Sequence, residues 1–272
     1  MNVSSKPVKG FLLDITGVLY NSDPNTIGRV IQGSVEAVNR LYAESAVRFV
    51  TNESTRNRKH LFEKLTKLGF TLNEEHIFMP VPEAKRYIKD HNLRPHILVH
   101  KGIFSFKRVL EEFGDLNTNH PNCVLLGDAE RGFTYETMNA AFRVLHDTDD
   151  PLIVTLGCGK FYQRMDGPCM DVGGFTRALQ YACDARVITI GKPDEQFFKA
   201  AIDDMGLTTD EVVMIGDDIV SDVGGAQKAG IRGVQVRTGK WRQSWINHSI
   251  KPDLLADDLR SAVDMLLKKK TN

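Results

Sequence analysis

The 272-residue chain has no net charge: 35 Lys and Arg balance 35 Asp and Glu, with basic residues spread along its length. It therefore lacks the basic face that binding to a phosphate backbone requires, and no nucleic-acid partner is expected. The longest basic run, Lys268 to Lys270, reads as a solvated tail. Long apolar runs are missing too. Hydrophobic residues make up 42% of the chain, but the first run, Phe11 to Leu13, is cut at once by Asp14. Neither a membrane span nor a signal peptide of the usual pattern is expected. The four cysteines, Cys123, Cys158, Cys169 and Cys183, lack zinc-type spacing, and a chain of this length needs no disulfide staples, so reduced thiols are predicted. The eight histidines include no HExxH-type pair; His91, His96 and His100 read as surface and strand-end residues. No repeat or low-complexity segment is present.

What remains is an alternation of short apolar strands and amphipathic helices. Val8–Leu13 reads as a strand ending at Asp14, and 34–44 as a helix with Ser34 as N-cap and Val35, Val38, Leu41 and Tyr42 on one face. A strand at Val47–Val50 ends in Thr51-Asn52, and Ser54 is expected to cap a helix that turns Leu61, Leu65 and Leu68 inward and stops at Gly69. Around Pro80–Pro82 a second α/β series begins: helix 83–91, strand 96–100, helix 103–113, strand 122–126, helix 134–147, strand 151–156 and helix 174–183. From Val187 the first pattern resumes, with strands at 187–190, 211–215 and 233–236 and helices at 194–205, 220–229 and near 257–268. The predicted fold is α/β: a parallel-sheet core from 1–80 and 187–272, with 81–186 inserted as a second α/β domain.

Four polar signals fall at expected core strand ends, the edge where open α/β sheets bind ligands. They are Asp14; Thr51 with Asn52; Lys192, followed by Pro193 at the first helical position; and Asp217, Asp218 and Asp222. An Asp after a strand is usually only a cap or turn residue. Together these residues form a site with one logic. A carboxylate nucleophile at Asp14 would split phosphate hydrolysis into two displacements through an acyl-phosphate. The target is already anionic, so charge must be cancelled. Asp14, Asp217 and a carbonyl from the turn at Thr16 are natural oxygen ligands for Mg²⁺, with Asp218 and Asp222 as further candidates. Lys192 would neutralise phosphate and nucleophile; Thr51, Asn52 and the main chain at Ile15 and Thr16 would hold the remaining phosphoryl oxygens.

The stretches Leu-Leu-Asp-Ile-Thr-Gly-Val-Leu-Tyr (12–20), Phe-Val-Thr-Asn-Glu-Ser (49–54), Gly-Lys-Pro (191–193) and Asp-Ile-Val-Ser-Asp-Val-Gly-Gly-Ala-Gln (218–227) resemble the four motifs of the haloacid dehalogenase superfamily. The placement of the insert is similar to the large α/β cap of its NagD-like branch. His-Pro-Asn-Cys (120–123), Met-Asn-Ala-Ala-Phe (138–142) and Met-Asp-Val-Gly-Gly (170–174) resemble a subfamily acting on phosphohistidine, phospholysine and inorganic pyrophosphate. The resemblance covers essentially the whole chain. It implies a Rossmann-type core with a cap, Mg²⁺ as cofactor, a small phosphorylated substrate or a phosphorylated His or Lys side chain, a homodimer formed through the cap, and a place in the cytoplasm and nucleus. Asp171 to Gly174, Lys160 and Tyr162 are cap candidates for facing the phosphate; Trp241 and Trp245 read as packing or interface residues.

The chain departs from most phosphatases of that superfamily at Thr16, where they carry a second Asp as general acid and base. Such proton transfer is worth roughly 10²–10⁴-fold. Leaving groups that need little protonation should suffer least, which favours P–O–P and P–N bonds over alkyl phosphates. Two alternatives stay open: a phosphate-monoester phosphatase of other specificity, and a catalytically slow phosphate-binding regulator. A phosphoacceptor receiver domain is excluded by the order of its acidic residues. A dehalogenase would not need a metal-binding Asp217.

Overall fold

The computed structural model describes residues 7–100 and 107–267. The chain opens with β1 (Gly10–Leu13), the two-stranded β2 (Tyr20–Asn21) and β3 (Arg29–Val30), α1 (Ser34–Glu44), β4 (Ala46–Val50), α2 (Arg58–Lys67) and β5 (Ile77–Phe78). A second series follows: α3 (Pro80–Asp90), β6 (Pro95–Leu98), α4 (Lys107–Glu112), β7 (Cys123–Leu126), α5 (Tyr135–His146) and β8 (Leu152–Thr155). It continues through the ribbon β9 (Phe161–Arg164) and β10 (Gly167–Met170), α6 (Val172–Cys183) and β11 (Arg186–Thr189). The first series resumes with α7 (Glu195–Met205), β12 (Val212–Gly216), α8 (Gly225–Lys228), β13 (Arg232–Val236), β14 (Leu254–Ala256) and α9 (Leu259–Leu266). Residues 103–106 of the expected helix 103–113 and the Lys268–Lys270 run lie outside the described residues.

The core sheet has the order β14-β13-β12-β1-β4-β5 and is parallel throughout. Its central strand is apolar at every position because both faces are covered. Phe11 and Leu13 pack with Val38 and Leu41 of α1, Leu61 and Leu65 of α2, and Val263 of α9. Leu12 points the other way, onto Phe197, Phe198 and Ala201 of α7. Burying each such side chain contributes about 1.5–3 kcal/mol. The register aligns Leu13 with Ile215 on β12 and with Phe49 on β4, so Asp14, Asp217 and Thr51 emerge at the same sheet edge.

The second sheet, β11-β8-β7-β6, is also parallel. Helices α3 and α4 cover one face, and α5 and α6 the other. Here the expected boundary needs correction. The strand assigned to the core at 187–190 is β11, which pairs with β8, Val187 opposite Ile153. Parallel strands buried on both faces read alike whichever sheet they join, so the local pattern could not choose. Cap material therefore runs to Thr189, and Lys192 follows a cap strand rather than a core strand.

Three helix ends also differ. Ser34 is the first residue of α1, not its cap; its hydroxyl donates to Leu19 O (2.9 Å) and Ile31 O (2.7 Å). Helix α2 is capped by Asn57, which accepts from His60 N–H, while Ser54 Oγ accepts from Asp128 N–H at 3.1 Å. Helix α7 starts at Glu195 under the Asp194 cap, so Pro193 lies before it.

Candidate active site

Asp14 continues β1 by one residue, its N–H donating to Ile215 O (2.9 Å), and then turns its carboxylate out of the sheet edge. Asp217 leaves β12 in the same way. Asp222 comes from the wide helical turn Ile219–Gly224 that follows. One carboxylate oxygen from each of the three lies within 4.8 Å of the others, and all three residues are buried. Lys192 is buried among them, its Nζ 2.6 Å from Asp14 Oδ1 and 2.7 Å from Asp222 Oδ1. Gly17 (φ 93°) and Gly239 (φ 55°) both need the left-handed region, and a Cβ on either would collide with Asp217 Oδ2. The main chain thus closes directly onto this carboxylate.

Three buried carboxylates against one ammonium leave an uncompensated negative charge. Among the described residues Asp217 Oδ1 is buried without a hydrogen-bond partner, while Oδ2 accepts from Lys240 N–H at 2.7 Å. A hard-oxygen set with an orphaned acceptor fits a divalent cation. Burial, reinforced by Asp14, holds Asp217 well above the usual carboxylate range. Burial likewise pushes Asp222 up to about 6, outweighing the pull of Lys192. Lys192 itself is raised: burial opposes its charge, but Asp14 and Asp222 prevail.

Of the other expected residues, Thr51 is buried at the end of β4 and its Oγ1 accepts from Glu53 N–H (3.1 Å), which leaves the hydroxyl proton for the cavity it lines. Asn52 lines the cavity as well, and its side chain has a further task. Its Oδ1 accepts from Lys192 N–H and its Nδ2 donates to Lys192 O, both at 2.8 Å, so the amide grips the main chain that presents the lysine. Ile15 buries its side chain in the core, leaving only its main chain for a ligand. Thr16 faces the cavity and donates to Tyr20 Oη at 3.4 Å. Asp218 stands outside the three-carboxylate group. It accepts from Val220 and Ser221 N–H and pairs with Lys240 Nζ at 3.0 Å. Burial works to raise Asp218, but Lys240 and the Ser221 N–H hold it below the ordinary value. Among the cap candidates, Asp171 and Tyr162 line the cavity. Asp171 also caps α6 through Val172 N–H (2.7 Å), while Lys160 is exposed and Val172 is packed into the core of the cap.

Three features escaped the sequence reading. Lys240 contacts Asp217 through its main chain and Asp218 through its side chain; Thr238-Gly239-Lys240 after β13 was the available signal. Behind Thr16, the buried Lys64 donates to Tyr20 Oη at 2.8 Å, and burial followed by Arg56 pushes its ammonium down to about 8. Asp128, just beyond β7, also lines the cavity, with nothing in its sequence context to announce it. Burial is the main reason its carboxyl is pushed up to about 7.

Core and cap strands point their C-terminal ends at this shared cavity of about 150 Å³, which holds on the order of ten waters. It suits a phosphoryl group with a small leaving group. The arrangement can supply a carboxylate nucleophile, charge neutralisation and hydroxyl donors in one enclosed place. Two family models match the chain: "Haloacid dehalogenase-like hydrolase" over residues 11–114 and "HAD-hydrolase-like" over 189–262. The chain is 45% identical over 267 residues to the phospholysine phosphohistidine inorganic pyrophosphate phosphatase of Danio rerio, covering 97% of this chain and 96% of that protein. Among solved structures it resembles a p-nitrophenyl phosphatase from Archaeoglobus fulgidus (TM-score 0.77, 25% identity, 96% of this chain and 100% of that one). It also resembles NagD from E. coli K-12 (TM-score 0.75, 17% identity, 94% and 98%), a likeness of fold alone.

Proposed function

The chain belongs to the haloacid dehalogenase-like hydrolases and is a phosphatase, and we propose that it is Mg²⁺-dependent and hydrolyses P–N bonds of phosphohistidine and phospholysine and the P–O–P bond of inorganic pyrophosphate. The observation that carries this reading is the convergence of Asp14, Asp217 and Asp222 on the buried Lys192 beneath the cap. Asp14, Asp217, Asp222 and the carbonyl of Thr16 would hold the cation, which when bound withdraws charge from the phosphoryl oxygens.

The remaining work falls to the chain. Asp14 attacks phosphorus, and the phosphoryl group passes to its carboxylate before water releases it. Lys192, fixed by the Asn52 amide, holds Asp14 and neutralises an equatorial phosphoryl oxygen. The Thr51 hydroxyl donates to another. Thr16 cannot act as a carboxylic acid, so leaving groups that depart without a strong acid beside the nucleophile are favoured. Phosphate leaving pyrophosphate and a nitrogen protonated before P–N cleavage both meet that condition.

A homodimer belongs to the same proposal, supported by the exposed Tyr135 on α5 and Tyr181 on α6 of the cap. So does a cytoplasmic and nuclear setting, which the four free cysteines support. The test is phosphate release with Mg²⁺ from pyrophosphate, a phosphoramidate and a sugar phosphate, comparing wild type with Asp14→Asn. Release from the first two, abolished by the substitution, is expected. Turnover of the sugar phosphate alone would sink the substrate assignment, and no turnover of any would sink the enzyme.

A further inference from the structure

In-line displacement at phosphorus places the leaving group opposite Asp14, and the water that later attacks the aspartyl-phosphate must arrive from that same side. The side facing away from the core sheet edge is the one the cap covers. Any group that protonates the leaving atom and then deprotonates water therefore has to come from the cap, unless residue 16 or Glu53 supplies it from the core; Glu53 lines the cavity but accepts from Thr55 N–H (2.8 Å) and pairs with Arg56 (4.0 Å). Thr16 cannot.

Three cap carboxyls line the cavity, Asp128, Glu130 and Asp171. Glu130 is paired with His100 and Arg164, and the His100 hydrogen bond is the main reason its carboxyl lies below the ordinary value. Asp171 is engaged as the α6 cap; burial raises its carboxyl as well, but Lys240 and the Val172 N–H pull it back toward the anion. Asp128 follows Gly127 at the cavity end of β7. Its own N–H is anchored on Ser54 Oγ from the core (3.1 Å), and its Oδ1 accepts from Glu130 N–H (2.9 Å). The charged neighbours that act on it are acidic: Glu53 from the core loop, Glu130 from the next turn and Asp171 at the head of α6. Tyr162 of β9 stands beside it. The cations nearby are paired elsewhere, Arg164 to Glu130 at 2.6 Å, His100 to Glu130 at 3.4 Å and Arg56 to Glu53 at 4.0 Å. Burial and these acidic neighbours hold its proton to about pH 7, where a carboxyl can give up a proton and recover it in one turnover.

We propose that Asp128, presented by the cap, is the general acid and base of this phosphatase and replaces the carboxyl missing at residue 16. The inference rests on the phosphatase reading above. In the first step Asp14 Oδ forms its bond to phosphorus, and the P–O or P–N bond breaks with its electron pair going to the leaving atom. A leaving oxygen takes the Asp128 proton; a leaving nitrogen, protonated before the bond breaks, departs neutral without it, and Asp128 then enters the second step as the carboxylate. In the second step water forms an O–P bond and passes a proton to the Asp128 carboxylate. The Asp14 Oδ–P bond then breaks, its electron pair returning to Asp14.

The experiment measures kcat/KM of the full chain with Mg²⁺ from pH 5.5 to 9, on pyrophosphate and on 2,4-dinitrophenyl phosphate, whose leaving group needs no proton. Asp128→Asn keeps an acceptor for Glu130 N–H. It is expected to lower kcat/KM on pyrophosphate by about 10²-fold or more. On the dinitrophenyl ester it should leave a rapid burst of dinitrophenolate, one per active site, followed by slow turnover as the aspartyl-phosphate waits for a base. The wild-type profile on pyrophosphate, corrected for substrate ionisation, should fall above about pH 7, a limb absent from the variant. The wild-type limb needs no variant to fold. Asp128→Asn within threefold of wild type on pyrophosphate, or an unchanged limb, overturns the proposal. So does transfer of both effects to Asp171→Asn. Wild type that releases no phosphate from either substrate removes the phosphatase reading itself, an outcome seen before any variant is compared.

Discussion

Replacing Asp217 by Asn should make the metal-free protein more stable while removing its activity and its response to Mg²⁺. Asp217 is 1% exposed, its Oδ1 has no hydrogen-bond partner among the described residues, and it shares a cavity with Asp14 and Asp222 around the ammonium of Lys192. An Asn can keep the bond from Lys240 N–H through its amide oxygen and turn its NH₂ toward the neighbouring carboxylates. The orphaned acceptor disappears and one negative charge leaves the cluster. Relief of a buried unsatisfied polar group is worth about 1–3 kcal/mol. In a chain of this size each kcal/mol moves the melting temperature by about 2–4 °C. The folded-state pKa of Asp217 is raised, so wild type keeps its proton to higher pH than the unfolded chain does. Its stability is therefore lost as pH rises from about 4 through the folded value. The advantage of the Asn variant should vanish near pH 4 and grow as pH rises toward the folded value. With Mg²⁺ at about a hundred times its dissociation constant, wild type gains about 2.7 kcal/mol and the variant gains none, so the order of stability reverses. Thermal melts in EDTA and in excess Mg²⁺, at pH 4 and pH 7.5, read all of this. A variant that melts below wild type in EDTA, or rises equally with Mg²⁺, would show that Asp217 is a structural residue and not an acceptor kept for a cation.

Asn52→Ala removes both hydrogen bonds that hold the Lys192 main chain; kcat should fall about tenfold or more at little cost to Mg²⁺ affinity, and steady-state kinetics across a Mg²⁺ titration separates the two. Lys192→Met leaves three buried carboxylates with no ammonium. The loss should be about 3–5 kcal/mol at pH 7.5 in EDTA, as for a broken buried pair, and should shrink toward pH 5 as Asp222 takes up a proton; urea unfolding at the two pH values checks it. Lys64 has a folded-state value pushed down from 10.5 to about 8, so wild-type stability should climb by on the order of 2–3 kcal/mol between pH 8 and 10.5. Lys64→Met should flatten that rise in urea midpoints; a rise of unchanged size would assign it to another group.

What could be read in the sequence was whatever a strand end announces by itself. Asp14 closes an uninterrupted apolar run, and Asp217 does the same after Val212–Gly216, so both were legible as groups at a sheet edge. Which sheet a strand joins is not a local property. The 186–189 strand has the same apolar character whether it lies beside β8 or in the core, and only the long-range pairing of Val187 with Ile153 decides. The error carried forward to Lys192, which was placed at a core strand end although a cap strand delivers it. Asn52 shows the same limit. Its place at the cavity was legible from the end of β4, but not that its side-chain amide grips a main chain 140 residues away. Asp218 was grouped with the metal ligands because it adjoins Asp217, but successive residues leaving a strand point apart, and Lys240 from the next crossover claims it. Asp128 is the limiting case. One carboxyl after Gly127 carries no signal in its own segment, and it gains a role only when the cap sheet turns its strand ends toward those of the core. Motifs therefore locate the half of the site where phosphorus is attacked. The half that receives the leaving group exists only between the two sheets.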